Sequence, residues 1–123
     1  MSLTIDKNGT ISLYQGDSGE VMIKGLNPYK KYDVYFAIRN KHREPVGNEI
    51  KVTVNKQEIV TFVLTSSMTD MLKVPKDKDF EVYTYGVKVR DTESGDEDTL
   101  FVTGKDYGEQ NLLIVYPKQV EGL

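Results

Sequence analysis

Residues 80–90, Phe-Glu-Val-Tyr-Thr-Tyr-Gly-Val-Lys-Val-Arg, leave this chain little choice of fold. Tyr83, Tyr85, Val87 and Val89 fall two apart among β-branched and aromatic neighbours. No helical period competes, so the run predicts one long strand. Gly86 breaks its chemistry, at the kind of position where a strand bulges or another backbone comes close. The acidic run that follows holds Ser94-Gly95 and predicts a tight connection back into a partner strand over residues 99–103. That hairpin forms the middle of the expected fold.

The remaining chain repeats the pattern. Residues 10–14 and 20–24 alternate through Ile11, Leu13, Val21 and Ile23, and Gly16-Asp17-Ser18-Gly19 between them predicts a hairpin turn. Residues 32–40 place Tyr32, Val34, Phe36 and Ile38 on one face and Asp33, Tyr35 and Arg39 on the other, a strand with one dry side and one wetter one. A charged loop, 41–48, precedes a short strand carrying Ile50, Val52 and Val54. Asn55-Lys56 reads as a two-residue turn into a strand over 58–65. Ser66 or Ser67 is suited to cap a single helical turn ending near Leu72. Residues 75–79 and 104–110 read as loops, and a last strand, 111–116, stops at Pro117. About eight short strands at such spacing predict an all-β fold, an Ig-like or Greek-key β-sandwich with one short helical turn. No repeat or linker divides it, so residues 1–123 read as one domain.

Charge and composition exclude several functions. Sixteen basic and nineteen acidic residues are interspersed, giving a net charge of −3, and no basic stripe marks a nucleic-acid binder. The chain has no cysteine, which removes disulfides and thiolate metal sites and fits folding in a reducing compartment. No apolar run approaches the length of a membrane span, and residues 1–9 lack a signal-like core.

The residue chemistry points away from catalysis, cofactors and metals. Gly16-Asp17-Ser18-Gly19 resembles the surroundings of a protease nucleophile. The single histidine, His42, however, follows Ser18, against the His–Asp–Ser order of trypsin-like enzymes, and the four residues are good turn formers. Asp91, Glu93, Asp96, Glu97 and Asp98 lack the regular ligand spacing of a calcium loop and read as a solvated acidic turn. Tyrosine outnumbers phenylalanine eight to four, and Tyr35, Tyr83 and Tyr85 are the candidates for a contact surface on an outer sheet face. Such a row suits a subunit contact or, as the alternative, a glycan-stacking platform in an Ig-like carbohydrate-binding or adhesion module.

Residues 11–18, 32–38, 69–70, 83–88 and 97–100 form an ordered series of short motifs: Ile-Ser-Leu-Tyr-Gln-Gly-Asp-Ser, Tyr-Asp-Val-Tyr-Phe-Ala-Ile, Thr-Asp, Tyr-Thr-Tyr-Gly-Val-Lys and Glu-Asp-Thr-Leu. The series resembles the N-terminal β-sandwich domain of baseplate upper proteins from tailed phages and prophages of Gram-positive bacteria. Residues 115–122 likewise resemble the close of such prophage proteins. The resemblance implies a non-catalytic structural component of a phage or prophage particle. Its partners would be other virion proteins and further copies of itself, with no nucleic acid or membrane. Its location would be the virion, or the host cytoplasm during assembly. Baseplate upper proteins carry further domains after this one, whereas the sequence here stops at Leu123.

Overall fold

A computed structural model describes residues 3–100 and 110–120. Among the described residues the strands in chain order are β1 (Thr4–Ile5), β2 (Ile11–Tyr14), β3 (Gly19–Lys24), β4 (Lys31–Arg39), β5 (Ile50–Asn55), β6 (Ile59–Leu64), β7 (Glu81–Asp91), β8 (Glu97–Leu100) and β9 (Asn111–Tyr116). One helix, α1 (Ser66–Asp70), joins β6 towards β7. The strands form two unequal sheets. The large one runs β1-β2-β9-β7-β4-β5, with β8 also on β7, and the small one is β3-β6. The fold is an all-β, Ig-like sandwich.

Alternation makes this arrangement stable. Ile11, Leu13, Val34, Phe36, Val87, Leu113 and Val115 point inward from the large sheet and meet Val21, Val60, Phe62 and Leu64 of the small one. Phe36 sits at the centre. Its ring lies 5.2 Å from Phe62 across the sandwich and 5.2 Å from Tyr85 within its own sheet, spacings at which aromatic pairs attract beyond their buried area.

Several local expectations are corrected. The 15–18 segment is a corner rather than a hairpin, because β2 pairs with β1 and β9 while β3 crosses to the small sheet with β6. Asn55-Lys56 likewise leads from one sheet to the other, with Lys56 at a φ of 54°. Thr65, not Ser66 or Ser67, caps the helix: its hydroxyl accepts from the Met68 amide at 3.3 Å. Gly86 pairs regularly with Ala37, so the strand does not bulge there, and among the described residues no atom lies within 4 Å of where a Cβ would stand. It marks instead the place where the second partner of β7 changes, from β9 along residues 81–85 to β8 along 87–90. The partner strand β8 starts within the acidic run, at Glu97. Its expected continuation over 101–103, and most of the expected 104–110 loop, fall outside the described residues.

Candidate functional site

The three tyrosines singled out by composition do not share a face. Tyr83 and Tyr85 are buried, at 6% and 5% exposure, in phase with Val87 and Val89. Each hydroxyl donates to a distant carbonyl: Tyr83 to that of Lys73 at 2.6 Å, Tyr85 to that of Gly9 at 2.5 Å. Two tyrosines can enter a core because a backbone acceptor waits for each hydroxyl. Burial pushes the Tyr85 phenol up to about 12, with the charge of Asp6 adding to the effect. The Tyr83 phenol is also raised, first by burial and then by Glu81. Tyr35 alone faces outward, registered between Lys51 and Lys88. Around it, Asp33 accepts from the Thr53 hydroxyl at 2.8 Å, and Lys88 pairs with Glu97 at 2.6 Å. The proposed trio is therefore no surface.

A different aromatic surface exists. On the outer face, Tyr14 of β2 is registered beside Tyr116 of β9, and Phe80 precedes β7 on the same side. Their exposures are 39%, 37% and 46%. Ring centroids lie 5.8 Å apart for Tyr14–Tyr116 and 6.1 Å for Phe80–Tyr116, so the three form one row. Sequence phase carried the signal. Tyr14 falls out of step with Ile11 and Leu13, and Tyr116 out of step with Leu113 and Val115, which places both rings outside.

Beyond Tyr14 the row opens into a cleft of about 630 Å³ whose polar lining includes Gln15, Asp17, Ser66, Ser67, Asp70 and Lys118. Lys118 and Asp70 form an ion pair at 2.6 Å. A hydrogen bond from Lys118, reinforced by its charge, holds the Asp70 carboxyl below the usual range. Two further bonds tie α1 to the corner: the Gln15 side-chain amide donates to the Asp70 carbonyl at 2.9 Å, and the Thr69 hydroxyl to the Asp17 carbonyl at 2.8 Å. Thr69 is fully buried. Thr69→Val removes that donor at nearly constant shape, and urea denaturation should show a loss of about 1 kcal/mol. A midpoint equal to the wild type would show that the bond does not hold the corner.

On the far side of the small sheet, the β5 edge, α1 and the end of β6 border a groove of about 560 Å³. Its apolar lining includes Phe36, Ile38, Val46, Ile50, Met68 and Met71. Among the described residues, neither β5 nor β6 has a strand partner on this side.

Ser18 is exposed at the corner before β3. His42 is exposed on the β4–β5 loop, its amide donating to the Asn40 side chain. Of the acidic residues, Asp91 and Glu97 each pair with a lysine, Lys30 and Lys88. Asp91 accepts from the Glu93 amide at 2.9 Å and pairs with Lys30 at 3.2 Å, and the Glu93 bond leads the effects that lower its pKa. Among the described residues no three His, Cys, Asp or Glu side chains gather as a metal site. None of the described helices is long and apolar enough to cross a membrane.

No family model matches the chain, and no curated protein does. Among solved structures it is similar to the periplasmic chaperone SfaE, with a TM-score of 0.61 and 10% identity. The match covers 95% of this chain and 57% of the chaperone chain, so the chain spans little more than half that protein's length. At this identity the likeness establishes the fold: an Ig-like β-sandwich.

Proposed function

We propose that this chain is a non-catalytic structural component of a phage or prophage particle, assembling with copies of itself and with other virion proteins. The observation that carries the reading is the open side of the sandwich, where, among the described residues, β5 and β6 have no second strand partner and the start of β5 and the end of β6 border an apolar groove. An unpaired edge offers a row of amides and carbonyls to any chain that can extend it, and the groove gives alternate side chains of that chain a place to bury. Closed rings of subunits satisfy such edges without leaving new ones open. The resemblance of the ordered motifs to those of baseplate upper proteins supports the virion setting, in which the protein would be made in the host cytoplasm and retained in the particle.

Light scattering on a size-exclusion column, over a hundredfold range of concentration, tests the reading together with hydrogen exchange. The expected result is a discrete oligomer that survives dilution, with slowed exchange at amides of residues 50–55 and 59–64. A monomer at every concentration, or an oligomer that leaves those amides unprotected, sinks edge-mediated self-assembly.

A further inference from the structure

We infer that the Tyr14–Tyr116–Phe80 row and the polar cleft beside it form a binding site for a neutral oligosaccharide, independent of the assembly edges. Three observations select that ligand class. The first is the backbone beneath the rings. β9 lies between β2 and β7, while β1 covers only Ile11 and Ser12 of β2, so the strand beneath Tyr116 is paired on both sides. A peptide strand cannot be added to β9, so recognition at Tyr116 falls to side chains. The second is charge. Among the described residues one cation, Lys118, lines the cleft; it is paired with Asp70 at 2.6 Å, and Asp17 adds a further negative group. Anions such as phosphates or nucleic acids meet no surplus of positive charge. The third is the pairing of surfaces. A pyranose has an apolar C–H face and a rim of hydroxyls, and here consecutive exposed rings lead into a cleft of amide, hydroxyl and carboxylate groups. Tyr14 belongs to both, so one chain of sugars can stack along the row and hydrogen-bond at its end.

The rings are held in place before any ligand arrives. Tyr14 and Tyr116 are registered neighbours in a parallel pair, and the Gln15 backbone N–H donates to the Tyr116 carbonyl at 2.8 Å. The cleft wall is pinned by the Thr69 and Gln15 bonds already described. A preformed site loses less entropy on binding.

Calorimetric titration of the full chain with cellohexaose, chitohexaose and maltohexaose, followed by a neutral-glycan array, tests the inference. At least one probe should bind. Tyr116→Ala, which removes the middle ring, should weaken it by about tenfold or more, while Tyr116→Phe retains most of the affinity. Tyr35→Ala, on the charged half of the same face, should leave it unchanged. Thermal melts of each variant separate lost binding from lost folding, and Tyr14→Ala provides a second reading if Tyr116→Ala unfolds. Binding to no probe, or binding indifferent to both ring deletions, overturns the site. So does a wild-type oligomer that Tyr116→Ala converts to monomer, because the rings would then be a contact between copies. That outcome is distinct from failure of the assembly reading, which is scored at the amides of β5 and β6.

Discussion

Phe36→Ala should cost about 3–5 kcal/mol, a large part of the stability of a domain this size. Phe36 is 1% exposed and touches both sheets, stacking on Tyr85 in its own and meeting Phe62 in the other. Truncation removes the ring's burial and leaves a cavity between two sheets held apart by their other core residues. The ring also floors the groove between β5 and β6, so the void should open towards that side. Chemical denaturation at neutral pH measures the effect. A loss below about 1 kcal/mol would mean that the sheets close over the gap and that Phe36 does not bridge them. Phe36→Leu, which restores most of the volume, should recover a large share of the loss.

The second large effect is alkaline. The Tyr85 phenol titrates at about 12 in the folded chain against an ordinary value of 10.0, because burial disfavours the phenolate. A raised folded-state pKa stabilises the fold fully below pH 10, and that contribution is lost as the pH rises from 10 through 12. Two pKa units correspond to somewhat under 3 kcal/mol, and residual solvent screening brings the expected loss to about 2 kcal/mol by pH 12. Tyr83, raised in the same direction, adds to it. Tyr85→Phe isolates the effect. It forfeits the bond to Gly9 at every pH, yet its urea midpoint should fall less steeply than the wild type's between pH 10 and 12. Parallel pH profiles for the two proteins would show that Tyr85 ionises as freely in the fold as outside it.

The two tyrosine sets show how far sequence could be read. Strand phase contained the answer for all of them: Tyr83 and Tyr85 keep step with Val87 and Val89, while Tyr14 and Tyr116 oppose the buried residues of their strands. Treating tyrosine as an amphipathic surface residue overrode that phase for the first pair. The acceptors that make their burial tolerable, the carbonyls of Lys73 and Gly9, lie 10 and 76 residues away, and no local pattern announces them. Strand positions were legible because alternation is local: the last strand, 111–116, is found where it was expected. Strand partners were not. The corner at 15–18 has hairpin chemistry, since turn residues report a change of direction and not the sheet that the next strand joins. The aromatic row depends on β2 lying beside β9, a neighbourhood set by the whole fold.

That neighbourhood also fixes the order in which the molecule can be made. Ile11 is registered against Leu113, 102 positions later by subtraction, in a parallel pair through the middle of the large sheet. While a ribosome is still adding residues before β9, β1 and β2 lack the strand that joins them to the rest of the large sheet, and β7 lacks one of its neighbours. The core therefore closes only after residue 116 has cleared the exit tunnel, and the earlier strands wait with their apolar faces uncovered. Such long-range closure is slow, because the pairing of β2 waits for β9.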